Sequence, residues 1–264
     1  RMVEQRQLSD CNLYFIDSKD FLTPDGNATV DGSHPTDIAF QRTIDKIYPL
    51  LRDLLEHKPN PVVEELLAKM TLEEKVGQLN LVSAPGDVVT GPTKGEDITS
   101  GIKNGSIGNV LNATGLDYIE SLQKIAVEQS RLGIPLSFGF DEIHGYRTTF
   151  PIPLAESCTW DPALIERAAR AGAQEAAASG LNITYNPMVD IALDPRWGRI
   201  AEGSGEDPYL DVQMGVAMVK GYQGADLSDP TAMAACIKHF VGYGAAEGGR
   251  DYNSTMISER SLRN

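Results

Sequence analysis

Short apolar runs alternate with helix-like segments along most of the chain. Five runs have the length and continuous apolar character of strands that are buried on both faces. These runs lie at residues 75–82 (a helix running into a strand), 107–111, 135–140, 183–189 and 233–240. Helical spacing or alanine-rich composition predicts helices at residues 62–70, 116–132, 161–179 and 207–221, with another beginning at 258. Such alternation is typical of an α/β fold with a parallel sheet.

The ends of several predicted helices carry recognisable signals. Thr71 and Glu74 have the spacing of a capping box. Asp207 is the expected N-cap of the helix at residues 207–221, with a proline in its first turn. Gly133 is the expected C-cap of the helix at residues 116–132. Residues 83–101 are rich in turn formers, which predicts a loop.

Two parallel architectures fit this pattern, a doubly wound sheet and a (β/α)8-type barrel. No GxGxxG or GxxxxGK[ST] motif occurs in the sequence, which weakens the doubly wound, dinucleotide-binding alternative. A complete barrel usually takes about 250 residues, and the pattern supplies roughly five of its eight units. We therefore expect an α/β, TIM-like barrel of which this chain holds the N-terminal portion.

The first residues differ in character from the rest. Residues 37–57 have apolar positions on one helical face, and prolines at 59 and 61 end that pattern. Residues 23–35 are rich in turn formers and predict a loop. We expect residues 1–60 to be an N-terminal extension and residues 61–264 to be the barrel domain. Partial disorder up to about residue 35 is an equally good interpretation.

Composition excludes several classes of protein. The 264 residues carry a formal net charge of −14, which disfavours binding to nucleic acid. No run of 18 apolar residues occurs, so no membrane contact is expected. The three cysteines are widely spaced and form no CxxC pair. The first residues lack the apolar region of a signal peptide, which leaves a cytosolic protein or a mature or recloned form of an exported one.

Polar residues follow the predicted strands at their carboxyl ends. Asp141 follows the third strand, Arg199 lies in a loop after the fourth, and Lys238 and His239 end the fifth. The carboxyl ends of parallel strands meet at one edge, where ligands bind. Carboxylates that accept hydrogen bonds, beside cations that donate them, suit a neutral polyhydroxylated ligand. Trp197 could add an apolar face for a sugar ring while also supporting the loop.

Each of these residues also has a structural interpretation. Asp141 could cap a helix, and Asp194 with Arg196 is expected to pair within its own loop. His144 alone is more typical of a buried, hydrogen-bonded histidine. A metal site built from Asp141, His144 and His239 is conceivable, but no HxH or HExxH spacing supports it, so no metal or other cofactor is expected.

Four motifs in order give the chain a family resemblance. They are AKMTLEEKVGQL at residues 68–79, GIPLSFGFDEIHG at 133–145, NPMVDIALDPRWGRIAEGSGEDPYL at 186–210 and KHFVGYGAAEGGRDYN at 238–253. Together they resemble the N-terminal domain of glycoside hydrolase family 3, of the periplasmic β-glucosidase or exo-β-glucanase type. The resemblance covers about residues 62–264.

The resemblance implies a TIM-like barrel followed by a C-terminal α/β sandwich domain. It also implies retaining hydrolysis of terminal, non-reducing β-D-glucosyl residues from β-glucosides or β-gluco-oligosaccharides, and a periplasmic or secreted location. By resemblance, the substrate-binding residues are Asp141, Arg199, Lys238 and His239. Cis peptide bonds around the Lys-His pair are a further implication.

The sequence departs from the family pattern in its catalytic residues. The family's nucleophilic aspartate lies in a Ser-Asp motif downstream of the Lys-His pair, and its acid/base glutamate lies in the second domain. Neither falls within residues 1–264, so the catalytic residues stay unknown. Tyr243 replaces the second histidine of the KHFPGHG-type loop, which favours a glucosidase or xylosidase over the N-acetylglucosaminidase branch. A β-xylosidase, a non-catalytic sugar-binding fragment and an unrelated metal-dependent barrel hydrolase remain alternatives.

Overall fold

A computed structural model describes residues 60–85, 97–255, 257, 258, 260 and 261. The predicted extension at residues 1–60 lies outside the described residues except for Asn60, and part of the helix predicted from 258 also lies outside them. The chain divides into two compact units, residues 1–66 and 67–264. Only residues 60–66 of the first unit are described, and a helix begins there at Pro61.

The described residues contain seven α-helices and five short strands. The helices are α1 (Pro61–Lys69), α2 (Leu72–Gln78), α3 (Ile98–Lys103), α4 (Leu116–Gln129), α5 (Pro153–Ser157), α6 (Pro162–Ala177) and α7 (Pro208–Gln223). The strands are β1 (Leu81–Ser83), β2 (Asn109–Leu111), β3 (Ser137–Phe140), β4 (Ile183–Thr184) and β5 (Ala234–Ala235). Among the helices described here, none combines the length and apolarity needed to cross a membrane.

The five strands form one parallel sheet in the order β1-β2-β3-β4-β5. Each strand therefore pairs with the strands that precede and follow it in sequence, and the strand order never reverses. A doubly wound sheet reverses its strand order at a switch point, whereas a barrel does not. The observed order is that of the first five units of a (β/α) barrel, as the sequence predicts.

The core lies between the sheet and the helices packed on it. Val110 on β2 and Phe138 on β3 are almost completely buried, as continuous apolar strands require. Helix α6 buries Ala169, Ala173 and Ala176. Small side chains let helices α6 and α7 approach closely: a Cβ added at Gly221 of α7 would lie 2.4 Å from a backbone oxygen of α6. The alanine-rich composition of α6 thus serves packing.

Side-chain caps fix where most of these helices begin. The Thr71 hydroxyl accepts a hydrogen bond from the Glu74 N–H, and the Glu74 carboxylate accepts from the Thr71 N–H, which confirms the capping box. Asp207 accepts from the Leu210 N–H at 2.8 Å and is the N-cap of α7, as predicted. Asp161 caps α6 in the same way.

Helix α4 ends earlier than predicted. It stops at Gln129, so the prediction that it runs to residue 132 with Gly133 as its C-cap is wrong. The Ser130 hydroxyl donates to the Ala126 carbonyl and accepts from the Gly133 N–H. A local side chain therefore competes with the backbone ladder and terminates the helix. The sequence pattern does not predict the two short helices α3 and α5, and α3 replaces the end of the loop expected at residues 83–101.

Strands β4 and β5 are much shorter than the apolar runs that contain them. Pairing after β4 is interrupted at Pro187, which has no N–H to donate. It resumes as an isolated parallel bridge between Met188 and Lys238. Lys238 donates its backbone N–H to the Pro187 carbonyl at 3.0 Å, and the Val189 N–H donates to the Lys238 carbonyl at 2.8 Å. The peptide bonds Asn186–Pro187, Lys238–His239 and Phe240–Val241 are cis.

A substitution in α6 tests this packing. A Cβ added at Gly172 would lie 1.8 Å from Glu142 Oε1, inside a closely packed region. We expect Gly172→Ala to destabilise the fold by about 1–3 kcal/mol despite the better helix propensity of alanine. Thermal or urea unfolding measures the change. Gly198→Ala is the matched control, because its added Cβ meets nothing within 4 Å in the described part of the chain. Equal stability of both variants would contradict the packing.

Candidate functional site

The candidate site lies at the carboxyl ends of β3, β4 and β5. Asp141 directly follows β3, and Lys238 follows β5 at the resumed pairing with Met188. The Lys238 ammonium donates to Asp141 Oδ1 at 2.5 Å. The Lys238 side chain is 15% exposed and that of Asp141 is 32% exposed. The ion pair therefore joins two strand ends and stays accessible to a ligand.

His239 is held from behind by a buried carboxylate. The Asp190 carboxylate, from the segment after β4, accepts the His239 backbone N–H at 3.1 Å. The same oxygen lies 2.8 Å from His239 Nδ1. The Asp190 side chain is only 2% exposed, whereas that of His239 is 33% exposed. The imidazole is thus anchored on one side and open on the other.

Arg199 lies in the 3₁₀ segment Gly198–Glu202 and is fixed within it. Its guanidinium donates to both oxygens of Glu202, at 2.6 and 2.7 Å. Its Cζ also lies 5.4 Å from the centre of the Tyr243 ring, a cation–π geometry. The hydrogen bond to Glu202 raises the pKa of Arg199 above its ordinary value, so this residue is a permanent cation.

Tyr243 connects Arg199 to the Lys238-His239 pair. Its ring meets His239 edge-on with the centroids 4.7 Å apart. Its hydroxyl donates to Asp251 Oδ1 at 2.5 Å, and Trp197 Nε1 donates to the same oxygen at 2.9 Å. These two donors hold the pKa of Asp251 below its usual range. The four residues predicted to bind substrate are therefore brought together, two by an ion pair and two through Tyr243.

Sequence reasoning does not identify which residues support the site. Glu202 belongs to an acidic stretch, although its position three residues after Arg199 on a helical turn is the spacing of an ion pair. Tyr243 stands out in the sequence only as a replacement for histidine. Asp251 carries no local signal, because its partners Trp197 and Tyr243 are distant or irregularly spaced in sequence.

The prediction that Trp197 offers a face to a sugar ring is wrong. Its side chain is fully buried, at 0% exposure. It packs edge-on against Tyr243 with the centroids 5.1 Å apart, and its N–H is already bonded to Asp251. Trp197 therefore supports the loop from beneath and has no surface left for a ligand.

The structure also tests the structural interpretations of Asp194, His144 and Asp141. Asp194 and Arg196 pair at 2.6 Å within their loop, as expected, and this holds the pKa of Asp194 at about 2. His144 is partly buried, and its Nδ1 lies 2.9 Å from the Phe150 carbonyl. Asp141 is not a helix cap, because the N-cap of the following helix α5 is Ile152.

The alternative metal site from Asp141, His144 and His239 finds no geometric support. The three side chains have separate partners: the Lys238 ammonium, the Phe150 carbonyl and the Asp190 carboxylate respectively. Within the part of the chain that the structure describes, no group of three or more His, Cys, Asp or Glu residues is arranged to hold a metal ion.

Two buried carboxyl groups lie behind the site. Glu142 is fully buried, and neither of its carboxyl oxygens has a hydrogen-bond partner among the described residues. Burial, with the nearby Glu175 charge, raises the pKa of Glu142 to about 8. Burial also raises the pKa of Asp211 to about 6, against two opposing hydrogen bonds from Ser204 and with the help of the Asp190 charge.

The glycosyl hydrolase family 3 N-terminal domain model matches residues 71–264. The chain belongs to this family. A periplasmic β-glucosidase from Salmonella typhimurium is 43% identical over 202 residues, which cover 76% of this chain and 26% of that protein. A putative β-xylosidase from Formosa agariphila is 34% identical, covering 76% of this chain and 29% of the relative.

Solved structures of family 3 enzymes show the same fold. The β-glucosidase from Listeria innocua in complex with isofagomine is 40% identical, with a TM-score of 0.69. The match covers 78% of this chain and 29% of that one. The predicted α/β, TIM-like barrel is confirmed. The chain spans between a quarter and a third of the length of these relatives, from 26% to 29%.

The buried carboxyl groups make the stability of the fold depend on pH. Glu142 titrates at 4.5 when exposed and at about 8 in the fold, so the folded state keeps a proton that the unfolded state loses. The contribution of Glu142 to the free energy of unfolding is greatest below pH 4.5. It falls as the pH rises towards 8, by a few kcal/mol in total. We expect Glu142→Gln to flatten this loss, measured by urea unfolding from pH 5 to pH 9.

Asp211→Asn is the matched control for that experiment. The pKa of Asp211 is raised from 3.8 to about 6, so this group makes stability fall only up to about pH 6. The Asp211→Asn variant should therefore change the profile below about pH 6 and keep the wild-type slope between pH 6 and 8. A wild-type protein whose stability is constant or rises across pH 6–8, with a Glu142→Gln variant that behaves identically, would contradict a buried neutral Glu142.

Proposed function

We propose that this chain provides the sugar-binding subsite of a retaining family 3 glycoside hydrolase. The substrate would be a β-glucoside or β-gluco-oligosaccharide, cleaved at its terminal non-reducing β-D-glucosyl residue. The observation that carries the proposal is the convergence of Asp141, Lys238, His239 and Arg199 at the carboxyl ends of adjacent strands. Their side chains stay partly exposed, as residues that bind a ligand must.

The chemistry of the cluster suits a sugar ring. Asp141 has two carboxylate oxygens, and the bond to Lys238 occupies only one of their several lone pairs, so neighbouring hydroxyls can donate to the rest. Lys238 and Arg199 are charged donors for hydroxyl oxygens. Because the Lys238-Asp141 and Arg199-Glu202 pairs are already formed, the groups are preorganised and little side-chain freedom is lost on binding.

The relatives support this ligand class. Solved structures of the Listeria innocua β-glucosidase include complexes with isofagomine, glucose and gluconolactone, and that protein is 39–40% identical to this chain. A variant of it was solved with laminaribiose. We extend glucose-type ligands to this chain on the strength of this identity and of the polar cluster at its strand ends.

The catalytic step requires two carboxyl groups about 5–5.5 Å apart in a retaining enzyme. We assign neither role to a residue of this chain: Asp141 and Asp190 are committed to Lys238 and His239. We propose that a nucleophilic aspartate and an acid/base glutamate lie in sequence beyond residue 264, the glutamate in a C-terminal α/β sandwich domain. Residues 61–264 would then be the barrel portion and residues 1–60 an extension, in a periplasmic or secreted protein.

A β-xylosidase is the second candidate, favoured by the 34% identity to the Formosa agariphila relative. Xylose lacks the hydroxymethyl group of glucose but keeps the ring hydroxyls that Asp141, Lys238 and His239 would bind. Comparing the two monosaccharides therefore separates the candidates. A non-catalytic sugar-binding role predicts the same binding without turnover in any longer form.

Binding tests the subsite directly. We expect D-glucose to raise the melting temperature of the chain, because a ligand that binds only the folded state stabilises it. Asp141→Asn should weaken glucose binding about tenfold or more in titration calorimetry, since a charged acceptor is lost. Asp194→Asn is the control, because this carboxylate pairs with Arg196 within the loop. Stronger binding of xylose than of glucose would favour the xylosidase, and binding of neither would overturn the subsite.

Turnover tests the assignment of the catalytic carboxylates. We expect residues 1–264 alone to release no p-nitrophenol from p-nitrophenyl β-D-glucoside above the uncatalysed background, since retaining hydrolysis needs a nucleophile and an acid/base. Release that survives purification and disappears on substitution of a carboxylate within the chain would show that the nucleophile had been placed in the wrong region.

A further inference from the structure

Asp190 contacts His239 in a way that fixes more than its position. One oxygen, Oδ2, lies 3.1 Å from the His239 backbone nitrogen and 2.8 Å from Nδ1 of its ring. The backbone N–H can only donate, so Oδ2 acts as an acceptor at this point. An ionised carboxylate accepts at every lone pair, so the ring Nδ1 meets it as a donor.

The tautomer of a histidine follows from the bond that one ring nitrogen makes. With its hydrogen on Nδ1, the neutral His239 ring carries a lone pair on Nε2. The Tyr243 ring packs edge-on against the imidazole, with an angle of 74° between the two planes, and limits its rotation. Because the His239 side chain is 33% exposed while Asp190 is buried, the free edge of the ring is the one away from Asp190.

We propose that Asp190 is a positioning residue that holds His239 in its Nδ1–H form, so that Nε2 accepts a hydrogen bond from a hydroxyl of the bound sugar. The inference rests on the proposed function for its ligand, and on the Asp190-His239 contacts for its geometry. In this arrangement Lys238 donates hydrogen bonds to sugar oxygens, and His239 accepts a hydrogen bond from a sugar hydroxyl. A hydroxyl group can do both, whereas a ketone or ether oxygen cannot.

A purely structural role for Asp190 makes a different prediction. Asparagine does not separate the two roles, because Oδ2 makes both contacts and an amide oxygen in its place would accept from the His239 N–H and from Nδ1–H alike. Leucine has a similar shape and no acceptor, so Asp190→Leu removes the partner of Nδ1. The neutral ring is then free to carry its hydrogen on Nε2. A carboxylate that only held the backbone would leave the tautomer unchanged when it is removed.

The test is ¹H–¹⁵N multiple-bond NMR of the chain with ¹⁵N-labelled histidine, at about pH 9 where imidazole rings are neutral. The chain has four histidines, and His239→Gln identifies the relevant signals by their loss. We expect wild-type His239 to carry its hydrogen on Nδ1, and Asp190→Leu to lose this preference so that hydrogen on Nε2 appears. Asp190→Asn keeps an oxygen acceptor and should retain the Nδ1–H form. Asp211→Leu is the matched control: Asp211 is another buried carboxyl group, on α7, and its variant should keep the wild-type tautomer.

The outcomes separate this inference from the proposed function. A wild-type ring with its hydrogen on Nε2 overturns the inference without any variant, even if Asp190→Leu fails to fold. A folded Asp190→Leu protein with the hydrogen still wholly on Nδ1 also overturns it. With glucose added, we expect the wild-type Nε2 signal to shift and Asp190→Leu to bind about tenfold more weakly. An Nδ1–H ring in a protein that binds no glucose would support the positioning geometry and overturn the sugar subsite.

Discussion

The site depends on one short stretch of parallel backbone pairing, between residues 187–189 and Lys238. The two strands β4 and β5 separate at Pro187, and two hydrogen bonds on either side of Met188 bring them back together. This second stretch of pairing fixes the position of Lys238 along the strand direction, level with Asp141. It also places the loop after β4 beside the loop after β5, so that Asp190 reaches His239.

The two adjacent carboxyl groups at this end of the barrel differ in whether they have a partner. Asp141 and Glu142 are adjacent in sequence and face opposite environments: Asp141 pairs with Lys238 at the opening, while Glu142 is buried against Gly172 of α6. Burial without a partner favours the neutral acid, whereas an ion pair favours the charged one. Two neighbouring carboxyl groups thus lie in opposite environments because the chain turns between them, and burial keeps Glu142 protonated at pH values where an exposed glutamate is ionised.

The sequence was sufficient for the number and direction of the described strands, because each is a short apolar run beside a helix, whereas their order followed only from preferring the barrel to the doubly wound sheet. It overestimated β4 and β5 because Met188 and Met233 are buried and apolar yet lie outside the regular ladder. The resemblance supplied Asp141, Arg199, Lys238 and His239, and the structure brings them together. Local patterns could not supply Asp251 or the burial of Trp197, since both depend on residues 54 positions apart meeting in space.

Tyr243 illustrates how a single position can change what a loop does. By resemblance, another branch of the family has a catalytic histidine at this place in the loop after the Lys-His pair. Here the Tyr243 hydroxyl is bonded to Asp251, while its ring lies beneath Arg199 and against His239. A side chain that is held by a carboxylate and packed on two neighbours has no free group to transfer a proton. In this chain the loop therefore stiffens the cluster, and Tyr243 does not take the acid/base role that the histidine has by resemblance in the other branch.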